Sequence, residues 1–495
     1  MGNRGGWLFD WPDDYAGGEV AVNIEELKEK KVAILGLGVN NQSLAAYLLR
    51  QRINVTVRDR DANVRERFER QYPNLAGQVE WEIGEGVLRN LTRFGTVFRT
   101  PSIPYLSPEL QKYAKSGGRI YSQTKLFFDL CPAPIIGVSG TNGKGTTATL
   151  IHRILSAGYH KGKTYLAGNI GEDPFTFLDQ LQPRDAVILE LSSFQLQDLH
   201  RGPQIAVLLK VTSDHLNHHK TEAEYREAKR QMLLAQEPDD YAIVNAENRN
   251  LEALLSGVRS RLFLYGKYQP RRESAWVDTG SGEEVLFVQM GGSIQSFSLA
   301  GRKLRGEHHL ENIIPAVMVA CLYEVDVKVI ANTVLAFAGL PHRLSLIGSY
   351  HQTEFYDDSI ATTPEPTLAA LHSFPGRRIH LIVGGNEKGQ EYGELAEQGV
   401  KRCATISLLP GSATKKLSPL LKKAKARQGN LNCLILDKAR PPLMETVLSG
   451  IHPHLQVGDL VLLSPAATSF ASYANYKERG DDFIRAVRQR YEEGA

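Results

Sequence analysis

The chain has 495 residues, which is too long for one ordinary hydrophobic core and predicts two to four domains. Hydrophobic residues make up 42% of it and charged residues 23%, a balance typical of soluble globular proteins and not of disordered or fibrous ones. The formal net charge is only +3, and no basic run concentrates it, so the sequence favours neither nucleic-acid binding nor membrane binding.

The four cysteines lie far apart without a CxxC pair, so they predict neither a disulfide framework nor a zinc site. No apolar run reaches the roughly 18 residues needed to span a bilayer. The first thirty residues lack the basic-then-apolar order of a secretory signal. We therefore expect a cytoplasmic protein without membrane insertion.

The first of three α/β blocks opens with a short apolar run that ends in glycine, KVAILGLG, at Lys31–Gly38. A helical stretch, NNQSLAAYLLRQ, and a second apolar strand, INVTVRD, follow and predict a βαβ unit. The turn Gly36-Leu-Gly38-Val-Asn-Asn41 is a weak dinucleotide fingerprint, because Asn41 stands where the third glycine belongs. A tight turn without a ligand explains it equally well, so a nicotinamide cofactor is not expected.

The second block begins at PIIGVSGTNGKGTTATLIHRIL (Pro134–Leu155) and continues through the strands DAVILEL and QIAVLLKVT. Alternating polar and apolar residues at Ser281–Leu299 predict an antiparallel hairpin late in this block. The third block follows the turn Gly339-Leu340-Pro341. Its strands RIHLIVGG, ATISLLPG, CLILD and DLVLLSPA are nearly all apolar, which predicts parallel strands covered on both faces.

A glycine-rich loop lies between the first strand and the first helix of the second block. Glycines let backbone N–H groups surround phosphate oxygens, and the helix N-terminus adds a favourable dipole. Lys144 can reach the β- and γ-phosphates, and Thr146 can offer a hydroxyl to Mg²⁺. The spacing departs from GxxxxGK[ST], but the complete strand–loop–lysine–helix order favours a nucleotide site over a plain glycine turn. The predicted phosphate-binding residues are Gly140, Thr141, Asn142, Gly143, Lys144, Gly145 and Thr146.

Glu190 ends a buried strand of the same block. A carboxylate is a suitable ligand for Mg²⁺, and Thr146 would lie beside it. A strand-end acid that faces solvent is the alternative, and the nearby phosphate loop favours the metal.

The loop GTNGKGT together with ELSSFQL (Glu190–Leu196) resembles the Mur ligase superfamily, which also contains folylpolyglutamate synthase. The phrase ELSSFQL is characteristic of its glutamate-adding members. Further matches follow in order, so the resemblance extends from about residue 31 to the end of the chain. They are AGNIG (Ala167–Gly171), SDHLNHH (Ser213–His219), Ala228-Lys229, GEHHLEN (Gly306–Asn312), LPHR (Leu340–Arg343), DDSIATTPEPT (Asp357–Thr367), GGNEKG (Gly384–Gly389) and LLSPAATSFASYANYKERGDDF (Leu462–Phe483).

The resemblance implies a three-domain Mur ligase architecture of the α/β class, preceded by an extension at residues 1–27. Residues 28–130 would form a Rossmann-like domain for a UDP substrate, residues 131–339 a central P-loop ATPase domain, and residues 340–495 a Rossmann-like domain for glutamate. The implied activity is ATP-dependent addition of D-glutamate to UDP-N-acetylmuramoyl-L-alanine through an acyl-phosphate, in peptidoglycan precursor synthesis, by a monomer.

Other functions stay open at this point. The same reaction with L-glutamate is the nearest, because a few donor positions decide stereochemistry. A folylpolyglutamate synthase-like ligase is more remote, since ELSSFQL and the SPAATSF segment argue against it. An inactive nucleotide-binding protein is disfavoured because Thr146, Glu190, His215 and Lys229 occur together. The broken dinucleotide fingerprint disfavours a dehydrogenase-like module.

The resemblance also assigns roles to residues whose types alone predict only surface chemistry. His215 would bind a second Mg²⁺, and a carbamylated Lys229 would supply carboxylate-like oxygens to it. The implied metal ligands are thus Thr146, Glu190, His215 and Lys229, and the catalytic residues are Lys144, His215, Lys229 and Arg343. Further implied contacts are Asn312, Arg343 and Asp358 to ATP, Thr362, Lys388, Ser469 and Tyr476 to glutamate, and Val39, Asn40 and Asn169 to the UDP substrate.

The chain departs from the family pattern at several positions, of which Ile360, in place of a lysine, changes the chemistry most. The lost positive charge concerns phosphate contacts and the choice of amino acid, and not the assignment as a ligase. The other departures are His309 and Thr363 for asparagine, Asn217 for aspartate, Lys125 for glutamate, and Asp59-Arg60-Asp61 at the uridine-binding strand end.

Overall fold

The computed structural model describes residues 24–101, 103–197, 199–212, 222–266, 273–280, 283–304, 309–387, 390–429, 432–437, 441 and 443–492. The predicted site residues His215 and Lys388, together with Asn217, lie outside these ranges. The chain forms two compact units that divide between Phe337 and Ala338.

The first unit begins with a five-stranded parallel sheet of order β3-β2-β1-β4-β5. Its central strand is apolar and fully buried, as expected of a parallel strand with both faces covered. The strands are β1 Val32–Leu35, β2 Val55–Asp59, β3 Glu80–Ile83, β4 Thr96–Arg99 and β5 Arg119–Ser122. The helices are α1 Ile24–Lys28, α2 Val39–Arg50, α3 Val64–Gln71, α4 Pro108–Lys115 and α5 Gln123–Leu130.

The same unit contains a nine-stranded mixed sheet of order β14-β13-β12-β11-β10-β9-β6-β8-β7. The strands β13 and β14, at one end of this sheet, form the predicted antiparallel hairpin, which is confirmed. The strands are β6 Ile135–Ser139, β7 Thr164–Gly168, β8 Ala186–Glu190, β9 Ile205–Leu208, β10 Tyr241–Asn245, β11 Arg261–Gly266, β12 Ser274–Asp278, β13 Val285–Met290 and β14 Ser293–Ser298. The helices are α6 Lys144–Gly158, α7 Ser193–Leu196, α8 Glu222–Leu234, α9 Leu251–Leu255, α10 Leu310–Leu322 and α11 Val327–Ala336.

The second unit contains a six-stranded sheet of order β15-β16-β20-β17-β18-β19, parallel except for the pair β15–β16. The strands are β15 Ser345–Tyr350, β16 Thr353–Asp357, β17 Ile379–Gly384, β18 Cys403–Leu409, β19 Leu434–Leu436 and β20 Leu460–Leu463. The helices are α12 Pro364–His372, α13 Gly393–Arg402, α14 Ser412–Gln428, α15 Leu443–Ile451 and α16 Tyr476–Tyr491. Strand order reverses between β17 and β20, and ligands of such sheets bind beyond the carboxyl ends of the strands at that point.

The apolar strands of all three sheets are covered by helices, so the predicted α/β class is confirmed. The predicted domain boundaries stay predictions. Among the helices that the structure describes, none combines the length and apolar character that crossing a bilayer would require.

Candidate functional site

The glycine-rich loop joins β6 to α6, so the backbone N–H groups at the start of a 15-residue helix point out of its N-terminus. Two of its glycines have positive φ, Gly140 at 150° and Gly143 at 82°. A Cβ added at Gly140 would lie 2.6 Å from Cβ of Leu209, and one added at Gly143 would overlap Oδ1 of Asn312. Neither position has room for a Cβ, and both have positive φ, so only glycine fits at these two points of the loop.

Lys144 is the first residue of α6, and its side chain folds back over the loop. Its Nζ donates hydrogen bonds to the carbonyl oxygens of Gly140 at 3.2 Å and Thr141 at 2.9 Å. These bonds hold the ammonium group beside the N-terminus of α6, where a helix favours negative charge. Helix dipole, backbone N–H groups and Lys144 together form a site suited to phosphate oxygens.

Asn312 on α10 contacts the phosphate loop although it lies far from it in the sequence. Its Oδ1 accepts a hydrogen bond from the hydroxyl of Thr147 at 3.3 Å. Its Nδ2 lies 3.3 Å from Nδ1 of His309, one of the positions where the chain departs from the family pattern. Asn312 and the loop are thus neighbours, as the ATP-binding prediction requires.

Thr146 and Glu190 are the predicted magnesium ligands within the described part of the chain. Both are buried, at 4% and 7% exposed. Glu190 ends β8 and pairs with Val138 on the adjacent strand β6. It therefore lies at the carboxyl ends of these strands, where the phosphate loop begins. A hydroxyl and a carboxylate are oxygen donors of the kind that Mg²⁺ prefers, so these residues fit the metal. The described residues contain no cluster of three or more His, Cys, Asp and Glu side chains that could bind a metal.

Lys229 lies on α8 and is only 1% exposed. Its Nζ donates hydrogen bonds to the carbonyl oxygen of Gly140 at 2.8 Å and to Oγ of Ser139 at 3.4 Å, and it lies 4.6 Å from the ring centroid of Tyr225. Lys229 therefore contacts the start of the phosphate loop, at Ser139 and Gly140. A carbamate on Nζ would keep one N–H donor for Gly140 and add two oxygen acceptors beside the loop.

The three residues predicted for the UDP substrate lie on two segments of the first unit. Val39 and Asn40 begin α2, directly after β1. The turn before them is held by Asp59, whose Oδ2 accepts the N–H of Leu37 at 2.7 Å. Asn169 follows β7, is exposed, and donates its N–H to the carbonyl oxygen of Glu190 at 3.1 Å.

In the second unit, two of the predicted glutamate residues, Ser469 and Tyr476, follow β20, which pairs with β17. The segments after these strands form a β-bridge between Asn386 and Thr468, with N–H···O distances of 3.0 and 2.9 Å. Ser469 is buried beside this bridge, and a Cβ at Gly385 would overlap the carbonyl oxygen of Thr468. Tyr476 begins α16 and is half-buried.

Asp358 and Arg343, predicted for ATP, lie at the end of β16 and in the turn before β15. The carboxylate of Asp358 accepts hydrogen bonds from Oγ of Ser464 at 2.7 Å and from the N–H of Leu344 at 3.1 Å. Burial raises the pKa of Asp358 to about 7, against the lowering effects of Ser464, the Leu344 N–H and the positive charge of Arg343. Arg343 itself is exposed.

Thr362 and Ile360 lie between Asp358 and α12, and both are half-buried. The N–H of Ile360 donates to the carbonyl oxygen of His342 at 3.1 Å. The loop that carries Ile360 is thereby fixed to the turn that carries Arg343. The side chain at position 360 is apolar, so no charge replaces the family lysine at this position.

Several residues that organise the two sites are absent from the sequence-based prediction. Tyr225 contacts Lys229 and places its hydroxyl 3.1 Å from Oγ1 of Thr141; its spacing of four residues before Lys229 on a helix was an available signal. His342 has φ of 61° and forms a 2.6 Å contact through Nδ1 with Asp357, which raises the pKa of His342.

Arg479 was also missed, although it lies within the matched segment KERGDD of α16. It is buried and donates to the carbonyl oxygens of Ser359 at 2.7 Å and Ala467 at 3.0 Å. It thus ties the segment after β16 to the segment after β20. Nothing in the sequence near Arg479 identifies these partners.

The fold and the phosphate loop define a P-loop α/β protein, and two family models match this chain. One describes the Mur ligase middle domain and matches residues 138–320; the other describes the Mur ligase MurD-like N-terminal domain and matches residues 30–122. The chain belongs to the Mur ligase family, and its predicted three-domain architecture is confirmed.

Two curated relatives carry the name UDP-N-acetylmuramoylalanine--D-glutamate ligase. The protein of Acetivibrio thermocellus is 31% identical over 94% of this chain and 97% of its own length. That of Symbiobacterium thermophilum is 33% identical over 93% of this chain and 98% of its own length.

Solved structures of the family share the fold at low identity. The MurF ligase of Thermotoga maritima in complex with ADP aligns with a TM-score of 0.53 and 16% identity, over 96% of this chain and 97% of that one. MurF of Acinetobacter baumannii aligns with a TM-score of 0.55 and 13% identity, over 93% and 98%.

Proposed function

We propose that this chain catalyses the ATP-dependent addition of D-glutamate to UDP-N-acetylmuramoyl-L-alanine, a step of peptidoglycan precursor synthesis. The observation that carries the proposal is the phosphate loop between β6 and α6, with Lys144 over it and Glu190 at the same sheet edge. The names of relatives that match almost the whole chain support the substrates and the D enantiomer.

In the proposed reaction the alanyl carboxylate of the UDP substrate attacks the γ-phosphorus of ATP, and the bond to the bridging oxygen of ADP breaks. The amine of glutamate then attacks the acyl carbon of the resulting acyl-phosphate. Phosphate leaves with the bonding electrons, and the amine loses a proton to give the peptide bond. Products are the glutamylated UDP precursor, ADP and phosphate.

The chain's own residues bind and orient the reactants. Backbone N–H groups of the loop and the ammonium of Lys144 stabilise the charge that develops on the transferred phosphoryl group. Mg²⁺, when bound, neutralises the crowded phosphates; Thr146 and Glu190 would hold one ion, and His215 with a carbamylated Lys229 a second.

The remaining predicted contacts complete this proposal. Asn312, Arg343 and Asp358 bind ATP, with Arg343 as a charge stabiliser at the γ-phosphate. A cation and several hydroxyls suit the two carboxylates of glutamate. The proposed glutamate-binding residues are Lys388, Thr362, Ser469 and Tyr476. The proposed residues for the UDP substrate are Val39, Asn40 and Asn169.

We also propose that the enzyme acts as a monomer in the cytoplasm. Its domains are residues 28–130, 131–339 and 340–495, after an extension at 1–27.

A phosphate-release assay tests the proposal. Purified protein is given ATP, Mg²⁺ and UDP-N-acetylmuramoyl-L-alanine with D-glutamate, with L-glutamate, or with neither. We expect release that depends on both the UDP substrate and D-glutamate. Faster release with L-glutamate would show that L-glutamate, and not D-glutamate, is the substrate. Release that depends on neither the UDP substrate nor glutamate would overturn the ligase function.

A further inference from the structure

Three polar side chains from separate segments of the first unit meet beside the two segments assigned to the UDP substrate. Ser43 lies on α2, Gln123 begins α5, and Asp173 precedes the short 3₁₀ helix Pro174–Thr176. Nε2 of Gln123 lies 3.1 and 3.0 Å from the two carboxylate oxygens of Asp173, and 3.1 Å from Oγ of Ser43. We call these three residues the polar lock.

Asp173 is the acceptor at the centre of the polar lock. Its Oδ1 also accepts the N–H of Phe175 at 3.0 Å, which fixes the carboxylate to its own segment. Burial raises the pKa of Asp173, whereas hydrogen bonds from Ser43, Gln123 and the Phe175 N–H lower it. A partly desolvated carboxylate depends on such donors, because losing one leaves an oxygen without a partner.

The polar lock lies close in sequence to both assigned segments. Ser43 lies on α2 about one turn after Val39 and Asn40. Asp173 lies four residues after Asn169, and the chain between them is fixed by a 2.9 Å hydrogen bond from the N–H of Glu172 to the carbonyl oxygen of Leu166. The polar lock thus links the helix that begins at Val39 to the segment that follows Asn169.

Aromatic side chains also pack against one another where these segments meet. The ring centroid of Phe175 lies 5.1 Å from that of Tyr47 on α2 and 6.1 Å from that of Phe127 on α5. Such edge-to-face packing contributes mainly through the apolar area that it buries, whereas hydrogen bonds weaken steeply when their geometry changes. We therefore assign the apolar stabilisation of this contact to the aromatic residues and its spacing to the three hydrogen-bonded residues.

We propose that Ser43, Gln123 and Asp173 are positioning residues that hold α2 and the Asn169 loop at the distance at which the UDP substrate is bound. The inference rests on the proposed function, since that function assigns Val39, Asn40 and Asn169 to this substrate. The three side chains act through these segments and do not themselves contact the reacting atoms.

Binding measurements on the full chain test the proposal without needing turnover. Gln123→Glu keeps the size of the side chain but sets a second carboxylate against Asp173, and like charges at this distance repel. We expect the Kd for UDP-N-acetylmuramoyl-L-alanine, measured by calorimetry, to rise ~10-fold, which corresponds to about 1.4 kcal/mol. The Kd for ADP should change less than about twofold, because the phosphate loop is unchanged.

The double variant Gln123→Glu with Asp173→Asn exchanges donor and acceptor across the contact. It restores one amide-to-carboxylate hydrogen bond, so binding of the UDP substrate should return to within about threefold of the starting protein. Gln78→Glu is the matched control, because Gln78 is exposed on the same domain and bonds only locally to the carbonyl oxygen of Asn74. Its Kd values should stay unchanged.

Each outcome has one meaning. If the unaltered protein does not bind the UDP substrate, the proposed function fails and the inference fails with it. If it binds but Gln123→Glu binds equally well, the polar lock alone is overturned. Equal losses of UDP-substrate and ADP binding, or no recovery in a folded double variant that still binds ADP, would also overturn it.

Discussion

The phosphate loop of the first unit and the carboxyl edge of the six-stranded sheet in the second unit are built in different ways. The proposed phosphate loop consists of seven consecutive residues, and we expect it to bind phosphate mainly through backbone N–H groups. In the second unit, distant segments are joined by side chains, through the pairs Asp358–Ser464, His342–Asp357 and Arg479–Ser359. We therefore expect substitutions that impair the first site to fall within one segment, and those that impair the second site to fall in several segments.

The largest expected effect is that of Lys144→Ala. The amine is held over the loop by two carbonyl oxygens and has its proposed role only at the phosphates. We expect the ligase rate to fall at least ~100-fold, as when one preorganised donor is removed from a transition state, with an unchanged unfolding temperature. Lys161→Ala, an exposed lysine paired with Glu324, is the control. Near-normal phosphate release from folded Lys144→Ala would contradict the assignment.

Lys229→Ala should also lose most of the activity, by more than ~10-fold, because it removes the proposed carbamate ligand. High bicarbonate should not restore the rate, since no amine remains to be carbamylated. A short carboxylate in solution should restore part of it by supplying oxygen donors. Full activity of the variant, or an intact mass of the active enzyme that shows a free amine, would count against the carbamate.

Paired glycine substitutions compare the two sites directly. Gly143→Ala forces a side chain onto Asn312 at φ of 82°, and Gly385→Ala forces one onto the carbonyl oxygen of Thr468 at φ of 136°. We expect the first to raise the KM for ATP and the second the KM for glutamate, each by several-fold. Gly117→Ala is the control, because it has φ of 87° but open space. It should cost only about 1 kcal/mol of stability. Identical kinetic effects of both substitutions would contradict the separation of the sites.

The pH dependence of stability should differ between the chain and its Asp358→Asn variant. Burial raises the pKa of folded Asp358 to about 7, above its ordinary value of 3.8. The folded state therefore binds this proton more tightly, and its contribution to stability is complete below pH 4 and is lost as the pH rises to 7. We expect the starting protein to lose about 4 kcal/mol relative to Asp358→Asn over that range, since one unit of pKa shift corresponds to about 1.4 kcal/mol. Denaturant titrations at both pH values measure it, and parallel curves would contradict the burial argument.

The smallest expected effect is that of Ile360→Lys. We expect the added charge to change the KM for ATP by about two- to fivefold and to leave the preference between glutamate enantiomers unchanged, because Asp358, Thr362 and Lys388 keep their family types. Rates with both enantiomers decide the matter. A large change in enantiomer preference would show that Ile360 shapes the glutamate pocket.

The sequence predicted those features that lie within one continuous segment. The strand–loop–helix order around Gly140 and the hairpin before Leu299 follow from local patterns of glycine spacing and of alternating side chains, and both are confirmed. The partners of these segments could not be found in this way. Asn312 reaches Thr147 across 165 residues and Gln123 reaches Asp173 across 50, and no local periodicity encodes such pairs.

The glutamate site depended on the family resemblance for the same reason. Each hydroxyl there is an ordinary loop residue in isolation, and no local pattern relates Thr362, after β16, to Ser469 and Tyr476, after β20. His215 and Lys388 lie outside the described residues, so their roles stay predictions.

The most direct test of the central claim, that ATP activates the alanyl carboxylate, is an isotope-transfer measurement. UDP-N-acetylmuramoyl-L-alanine is prepared with ¹⁸O in the alanyl carboxylate and incubated with ATP, Mg²⁺ and D-glutamate, and the released phosphate is analysed by mass spectrometry. Attack of the carboxylate on the γ-phosphorus predicts one ¹⁸O atom in each phosphate released with product. Unlabelled phosphate would show that water, and not the carboxylate, receives the phosphoryl group, and would contradict the proposed ligase mechanism.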